Sequence, residues 1–333
     1  MSFEGQSKKA ASDFSTGDSA EKIFRKVTPA LTECALGTAT DGICIRDSAL
    51  KKVAKTHKIT STDRALILEG AMTSTGCSTQ KCVLEKTIKG THDDPTELLD
   101  SLREDVKVTG PTNSKLLSNV HIDNTLRQWS VHIPEFFAYN FNMLDYARHS
   151  WRHGAVQDSP DTLATVNLAE VFAGKHKAAG CIINSDTYHG PGKHWMALFV
   201  DARGRDRWTV EFFNSSGNSP APEWVNWLVK TRGQLEELSR DSGIPVEIVN
   251  VIGLRQQYSK SECGVYSLYY VWARLQGIPP ETFKRVHIPD KYMFEFRQHL
   301  FVESSDTPVK EFDWAEYQKR TPIVWEKQHH DRG

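Results

Sequence analysis

The stretch Ser261-Glu262-Cys263-Gly264-Val265-Tyr266-Ser267 decides how the rest of the chain is read. It places a cysteine and a glycine at the mouth of an apolar run, Tyr266-Ser267-Leu268-Tyr269-Tyr270-Val271-Trp272-Ala273-Arg274-Leu275, which Gly277, Pro279 and Pro280 bring to a stop. A run of that length ending in Gly and Pro predicts a buried helix. Cys263 then stands at the helix N-terminus, where unpaired N–H groups and the macrodipole favour negative charge and draw a thiol towards thiolate. Gly264 would let a substrate backbone approach closely. A lone cysteine at the edge of a core helix is more often a packing residue, so its reading as a nucleophile depends on what lies upstream.

Upstream, Cys181-Ile182-Ile183-Asn184 predicts a buried strand, and Gly190-Pro191-Gly192 a turn that delivers His194 to the start of a second strand, Trp195 to Asp201. A third strand, Trp208-Thr209-Val210-Glu211-Phe212-Phe213, ends at Asn214-Ser215-Ser216-Gly217-Asn218. If the last two strands form a hairpin, His194 and Asn214 meet at its open end, as a general base and its orienting partner must. Glu211 is the competing acid. Strand alternation sets it with Thr209 and Phe213, on the face opposite Asn214. A helix over about Pro222 to Leu238 and a strand over Val246 to Ile252 then lead into Arg255-Gln256-Gln257-Tyr258-Ser259-Lys260, directly before the cysteine. A glutamine amide there can donate to a developing oxyanion, and Gln257 is preferred to Gln256.

In the order His, Asn, Gln, Cys, these residues resemble the adenain and SUMO-protease superfamily of cysteine peptidases. The closer similarity is to its polyprotein-processing branch of the African swine fever virus kind. Gly192-Lys193-His194-Trp195, Phe212-Phe213-Asn214-Ser215, Gly217-Asn218-Ser219-Pro220 and Glu262-Cys263-Gly264 with Tyr266-Ser267 carry it, with Ile122-Asp123, Thr125-Leu126, Phe296-Arg297 and His299-Leu300-Phe301, and more faintly Gly76-Cys77 and Cys82-Val83. The resemblance implies an α+β fold, a mixed sheet flanked by helices, with an N-terminal helical arm. It implies Cys263 as nucleophile, His194 as base and Asn214 as orienting residue, and cleavage of viral structural polyproteins after Gly-Gly during particle maturation. Such a protein would work in the host cytoplasm, in viral factories, and in the virion. Trp195 and Gly264 would wall the substrate slot. Where the branch has a glutamine three residues before its cysteine, this chain has Lys260. A SUMO- or ubiquitin-deconjugating enzyme shares the chemistry and the Gly-Gly preference. A Cys-His acetyltransferase would need a basic cofactor cluster that the sequence does not offer, and no cofactor is expected.

The 333 residues are 39% hydrophobic and 25% charged, as in a soluble globular protein, and the formal net charge of −1 gives no reason to expect nucleic acid as the main partner. No apolar run is long enough to span a membrane. Residues 1–25 read as a frayed terminus, 26–110 as the helical arm, 111–301 as the protease core and 302–333 as an extension whose Phe312, Trp314, Tyr317 and Trp325 suit docking on the core. In the arm, Asp94 is expected to cap a helix with Pro95 in its first turn, and further on Asp123 to cap another. Residues 152–177 read as a helix-bearing insertion or loop. The arm cysteines, Cys34, Cys44, Cys77 and Cys82, lack the paired spacing of a zinc site, so all six cysteines are expected reduced and no metal is assigned.

Overall fold

The computed structural model describes residues 18–38, 41–149 and 163–303. Five strands form the central sheet: β2 (Phe136–Ala138), β3 (Ala178–Asn184), β4 (Trp195–Asp201), β5 (Trp208–Phe213) and β6 (Val246–Val251), in that spatial order. The two inner pairings, β3 with β4 and β4 with β5, are antiparallel, and the outer pairings are parallel. The α+β reading with a mixed sheet therefore holds. Every residue of β3 is buried, because helices cover both faces of the sheet.

A helix over Cys263–Leu275, buried along its whole length, lies on one face. The helix Pro222–Ser239, the crossover between β5 and β6, covers the other with Trp224, Trp227, Leu228 and Leu235. Glu211 points to the first face, as strand alternation requires. There its carboxylate accepts from Tyr270 Oη at 2.6 Å and from Arg274 Nη2 at 2.8 Å, while Arg274 also reaches Asp201 at 2.9 Å. A buried carboxylate held by an arginine and a tyrosine is a strut between sheet and helix, and it is not available to a histidine at the sheet edge.

The arm has a core of its own, from Cys34 to Val106, built by helices Asp47–Thr56, Arg64–Thr75, Gln80–Gly90 and Thr96–Glu104. The chain then enters the core through a short parallel pair, Val108 and Thr109 of β1 against Phe301 and Val302 of β7.

Four expectations are corrected. Residues 20–25 are not frayed: Ala20–Val27 is a helix capped by Ser19. Its Ile23, Phe24 and Val27 make an apolar stripe that docks into the main core, where Phe24 stacks on Tyr292 and Trp272 Nε1 donates to the Val27 carbonyl at 2.7 Å. Pro95 is itself the N-cap position of the Thr96–Glu104 helix, one residue later than expected; the Asp94 carboxylate still accepts from Thr96 N at 3.0 Å. Asp123 lies inside the helix Asn119–His132, which Ser118 caps in a reciprocal box with His121; the Asp123 carboxylate instead accepts the Phe141 N–H at 2.7 Å. The four arm cysteines are not free thiols but two disulfides, Cys34–Cys44 and Cys77–Cys82, with Cα–Cα separations of 4.9 and 5.7 Å. A local corner produces the second. Gly76 ends one helix in the left-handed conformation and Thr79 caps the next, so Cys77 and Cys82 face each other across the corner.

The 152–177 segment is described from residue 163 on, and carries a 3-10 turn at Leu163–Thr165 and a short helix at Leu168–Val171. The extension is described only to residue 303, so its four aromatics lie outside the described residues.

Candidate active site

The antiparallel register pairs Ala197 with Phe213, so the start of β4 and the end of β5 leave the sheet side by side. His194 and Asn214 are the residues just beyond those two ends. His194 Nε2 and Asn214 Oδ1 are 2.8 Å apart. The orientation of the amide is fixed independently of the histidine. Asn214 Oδ1 accepts from Ser216 N at 3.0 Å and Ser216 Oγ at 2.8 Å, and Nδ2 donates to the Asn218 carbonyl at 3.0 Å. An oxygen facing the ring can only accept, so Nε2 carries the proton and, in the neutral ring, Nδ1 keeps the lone pair. Asn214 thereby sets the tautomer of His194. The loop supports this through Asp186, whose carboxylate accepts from Thr187 N, Gly192 N and Lys193 Nζ, and through Ser185 N, which donates to the His194 carbonyl at 2.9 Å.

Cys263 opens its helix, with Glu262 at the N-cap position. The backbone N–H groups of Trp195, Gly264 and Cys263 itself face the sulfur and favour thiolate, but burial outweighs them and pushes the thiol up. The Trp195 amide follows His194 in the chain, so its approach to the sulfur brings the backbone of His194 close to the thiol. Burial also lowers the His194 pKa below its ordinary value, against the Asn214 hydrogen bond. Both shifts favour a neutral resting pair.

Around the nucleophile the packing is close. A Cβ at Gly264 would meet Leu117 Cδ1 at 3.2 Å and Trp195 Cδ1 at 3.3 Å. The room that Gly264 leaves is thus taken by these two side chains rather than held open in front of the thiol. Trp195 Nε1 donates to the Leu117 carbonyl at 3.1 Å, and Phe141 meets the indole edge-on at 6.0 Å.

Of the two glutamines, Gln256 is fully engaged in structure: Nε2 donates to the Phe283 and Val286 carbonyls, and Oε1 accepts from Ile288 N. Gln257 lies beside the histidine's partner. Its Oε1 accepts from Ser215 Oγ at 2.9 Å, its backbone N–H donates to the Ser215 carbonyl, and Nε2 donates to the Ser259 carbonyl at 2.8 Å. One of the two amide hydrogens is thus committed to Ser259. Lys260 is exposed.

Sequence reasoning did not assign roles to Ser216, Asn218, Leu117 or the pair Glu262–Arg297. The last is wholly buried. Arg297 Nη2 donates to Glu262 Oε1 at 2.7 Å, and Nη1 to the carbonyls of Pro111 and Lys115 at 3.1 and 3.0 Å. This arginine ties the residue before the nucleophile to the segment that ends in Leu117. Burial pushes the Glu262 carboxyl up and Arg297 draws it back down. The one available signal was Asn214-Ser215-Ser216-Gly217-Asn218 itself, a run of turn residues that hydrogen-bond their own backbone.

Comparison with known proteins shows the family. Residues 177–311 match the Ulp1 protease family, C-terminal catalytic domain. The chain is 34% identical over 296 residues to a cysteine protease of African swine fever virus from a Malawi tick isolate, covering 84% of this chain and 98% of that one. It is 34% identical over 290 residues to a protein of a Kenyan pig isolate named as a SUMO-1 cysteine protease, with the same coverage. The crystal structure of the African swine fever virus protease superposes with a TM-score of 0.65 at 29% identity, over 84% of this chain and 99% of that one. With a thiol at a helix N-terminus, a histidine held by Asn214 where two strands end, and a relative aligned along nearly its whole length, the chain belongs to the family of the African swine fever virus cysteine protease, is a cysteine protease, and carries a Ulp1-type catalytic domain over residues 177–311.

Proposed function

We propose that the protein is an endopeptidase that cleaves viral structural polyproteins after Gly-Gly during virion maturation, acting in host cytoplasmic factories and in the particle. The observation that supports it is the packing of Leu117 and Trp195 on Gly264, next to Cys263, a residue only 4% exposed. Side chains packed this closely on the residue after the cysteine leave little space for side chains just before the scissile bond, where glycine fits best. In the reaction, His194 Nδ1 takes the thiol proton as the Sγ–C bond forms. The oxyanion is met by N–H donors at the helix start and by the Gln257 amide. The same proton then passes to the departing nitrogen as the C–N bond breaks, and water, deprotonated by His194, hydrolyses the thioester.

The test is a peptide series in which either glycine is replaced by valine. Each replacement lowers kcat/KM at least tenfold, about 1.4 kcal/mol. A valine peptide cleaved at the same rate overturns the reading. That one relative is named a SUMO-1 cysteine protease favours a second reading, removal of SUMO from conjugates. A SUMO fusion run beside the polyprotein peptide distinguishes the two.

A further inference from the structure

The described chain ends at a well-defined place. Phe301 meets the His121 ring edge-on at 5.8 Å, the Val302 carbonyl accepts the Gly110 N–H at 3.0 Å, and Glu303 Oε1 accepts from Thr112 Oγ1 at 2.7 Å. His121 belongs to the first turn of the helix Asn119–His132, so the chain leaves from beside that turn.

The outer side of this helix differs from an ordinary solvated face. Val120, Asn124, Arg127 and Val131 follow the spacing of one helical line, about 16 Å long. Val120 is 57% exposed and Val131 43%, and Leu116, just before the helix, is 64% exposed. Lys115 and Arg127 are exposed beside them, and neither forms a salt bridge among the described residues. Asp123, one turn from Arg127, gives its carboxylate to the Phe141 N–H. Exposed apolar residues scattered singly are normal on a surface; here three of them, with two cations, gather where thirty residues of chain depart.

The sequence of the extension supplies the complement. Glu311-Phe312-Asp313-Trp314-Ala315-Glu316-Tyr317 holds three aromatics and three acids, and no base. Between Glu303 and Glu311 an extended chain spans up to about 28 Å, enough to bring this stretch to any point of the stripe. We propose that residues 311–317 dock in cis on Leu116, Val120 and Val131, with their carboxylates towards Lys115 and Arg127. The tether gives the stretch a high effective concentration at this surface, so a modest apolar and ionic contact holds it there. Val225 and Val229 are also exposed, but their helix, Pro222–Ser239, covers the face of the sheet opposite Phe301. The docked stretch lies one residue from Leu117, which packs on Gly264. Docking of this kind is independent of what the enzyme cuts.

The experiment introduces Val120→p-benzoylphenylalanine into the full chain, irradiates it, and maps the crosslinked peptides by mass spectrometry. The expected product is a crosslink within one chain to residues 311–317, with a yield that dilution does not change. Lys115→Glu together with Arg127→Glu lowers that yield several-fold, and reversing Glu311, Asp313 and Glu316 to lysine in the same chain restores it. Phe312→Ser with Trp314→Ser abolishes the crosslink, and a cooperative thermal transition confirms that each variant is folded. Crosslinks to residues 1–17, to a second copy of the chain, or to no peptide at all overturn the proposal. A charge reversal that its complement fails to restore overturns it as well.

Discussion

Replacing Arg297 by alanine removes more than one ion pair. Both partners are fully buried, and the guanidinium donates to Glu262 through Nη2 and Nε and to the Pro111 and Lys115 carbonyls through Nη1. After the change, the Glu262 carboxylate keeps Ser261 Oγ at 2.9 Å as its side-chain partner. A buried charge left in that state costs about 3–5 kcal/mol, a large share of the roughly 5–15 kcal/mol that holds a domain together. The arithmetic differs when both charges are removed, because the desolvation penalty of the pair vanishes with its attraction. Urea unfolding of Arg297→Ala should therefore show a loss of about 4 kcal/mol, and Arg297→Met with Glu262→Leu should recover at least about 2 kcal/mol of it. Activity should not follow stability. The double variant still leaves the Pro111 and Lys115 carbonyls without their donor, so the segment ending in Leu117 loses its tie and kcat/KM stays low. A single variant within about 1 kcal/mol of the parent, or a double variant less stable than the single, would refute the reasoning.

The remaining predictions concern the reacting groups. Asn214→Ala frees the imidazole to adopt the other tautomer and lowers kcat on the order of a hundredfold, about 2.7 kcal/mol, in steady-state assays. Asn214→Asp stabilises imidazolium and moves the acid limb of the pH profile upward, although its second oxygen now meets the Asn218 carbonyl. In the parent, burial lowers the His194 pKa below 6.5 and raises that of the Cys263 thiol above 9.0. The active form needs a neutral imidazole to take the proton and a protonated thiol to supply it to the leaving group. Activity is therefore lost as pH falls through the lowered His194 pKa and again as it rises through the raised thiol pKa. A plateau of kcat/KM between those limits checks this, and an ascending limb centred above pH 7.5 contradicts it. Gln257→Ala lowers kcat roughly a hundredfold with little change in KM, as loss of an oxyanion donor does, whereas Gln256→Ala acts on melting temperature through its three structural bonds.

The parts of the site legible in the sequence were those set by period and chain direction. Alternation along Trp208 to Asn214 separated Glu211 from Asn214, and antiparallel pairing brought His194 to Asn214; both need only a regular strand. The apolar run after Cys263 marked the helix and its start for the same reason. What was missed depends on contacts between residues far apart in the chain. Arg297 meets Pro111 and Lys115 across more than 180 positions, and no local pattern marks such a partner. The arm disulfides were missed because spacing was tested against zinc and a reducing compartment, while the Gly76 and Thr79 corner that makes Cys77 and Cys82 neighbours is a matter of backbone conformation. The first helix was missed because eight residues with three apolar positions give weak periodicity, and only docking against Tyr292 and Tyr269 makes it stable.

Ser215 shows how the structure sets the two glutamines apart. Its carbonyl accepts the backbone N–H of both Gln256 and Gln257, so the loop before the nucleophile is fastened to the residue after Asn214. From that shared anchor the two side chains diverge. Gln256 turns inward to the carbonyls of Phe283 and Val286, and Gln257 turns back to the Ser215 hydroxyl. Gln257 is itself buried, with Oε1 held by the Ser215 hydroxyl and Nε2 by the Ser259 carbonyl. Asn214 and Gln257 are consequently held through one residue, Ser215. A displacement of the Asn214 loop moves both, which ties the tautomer of His194 to the position of Gln257.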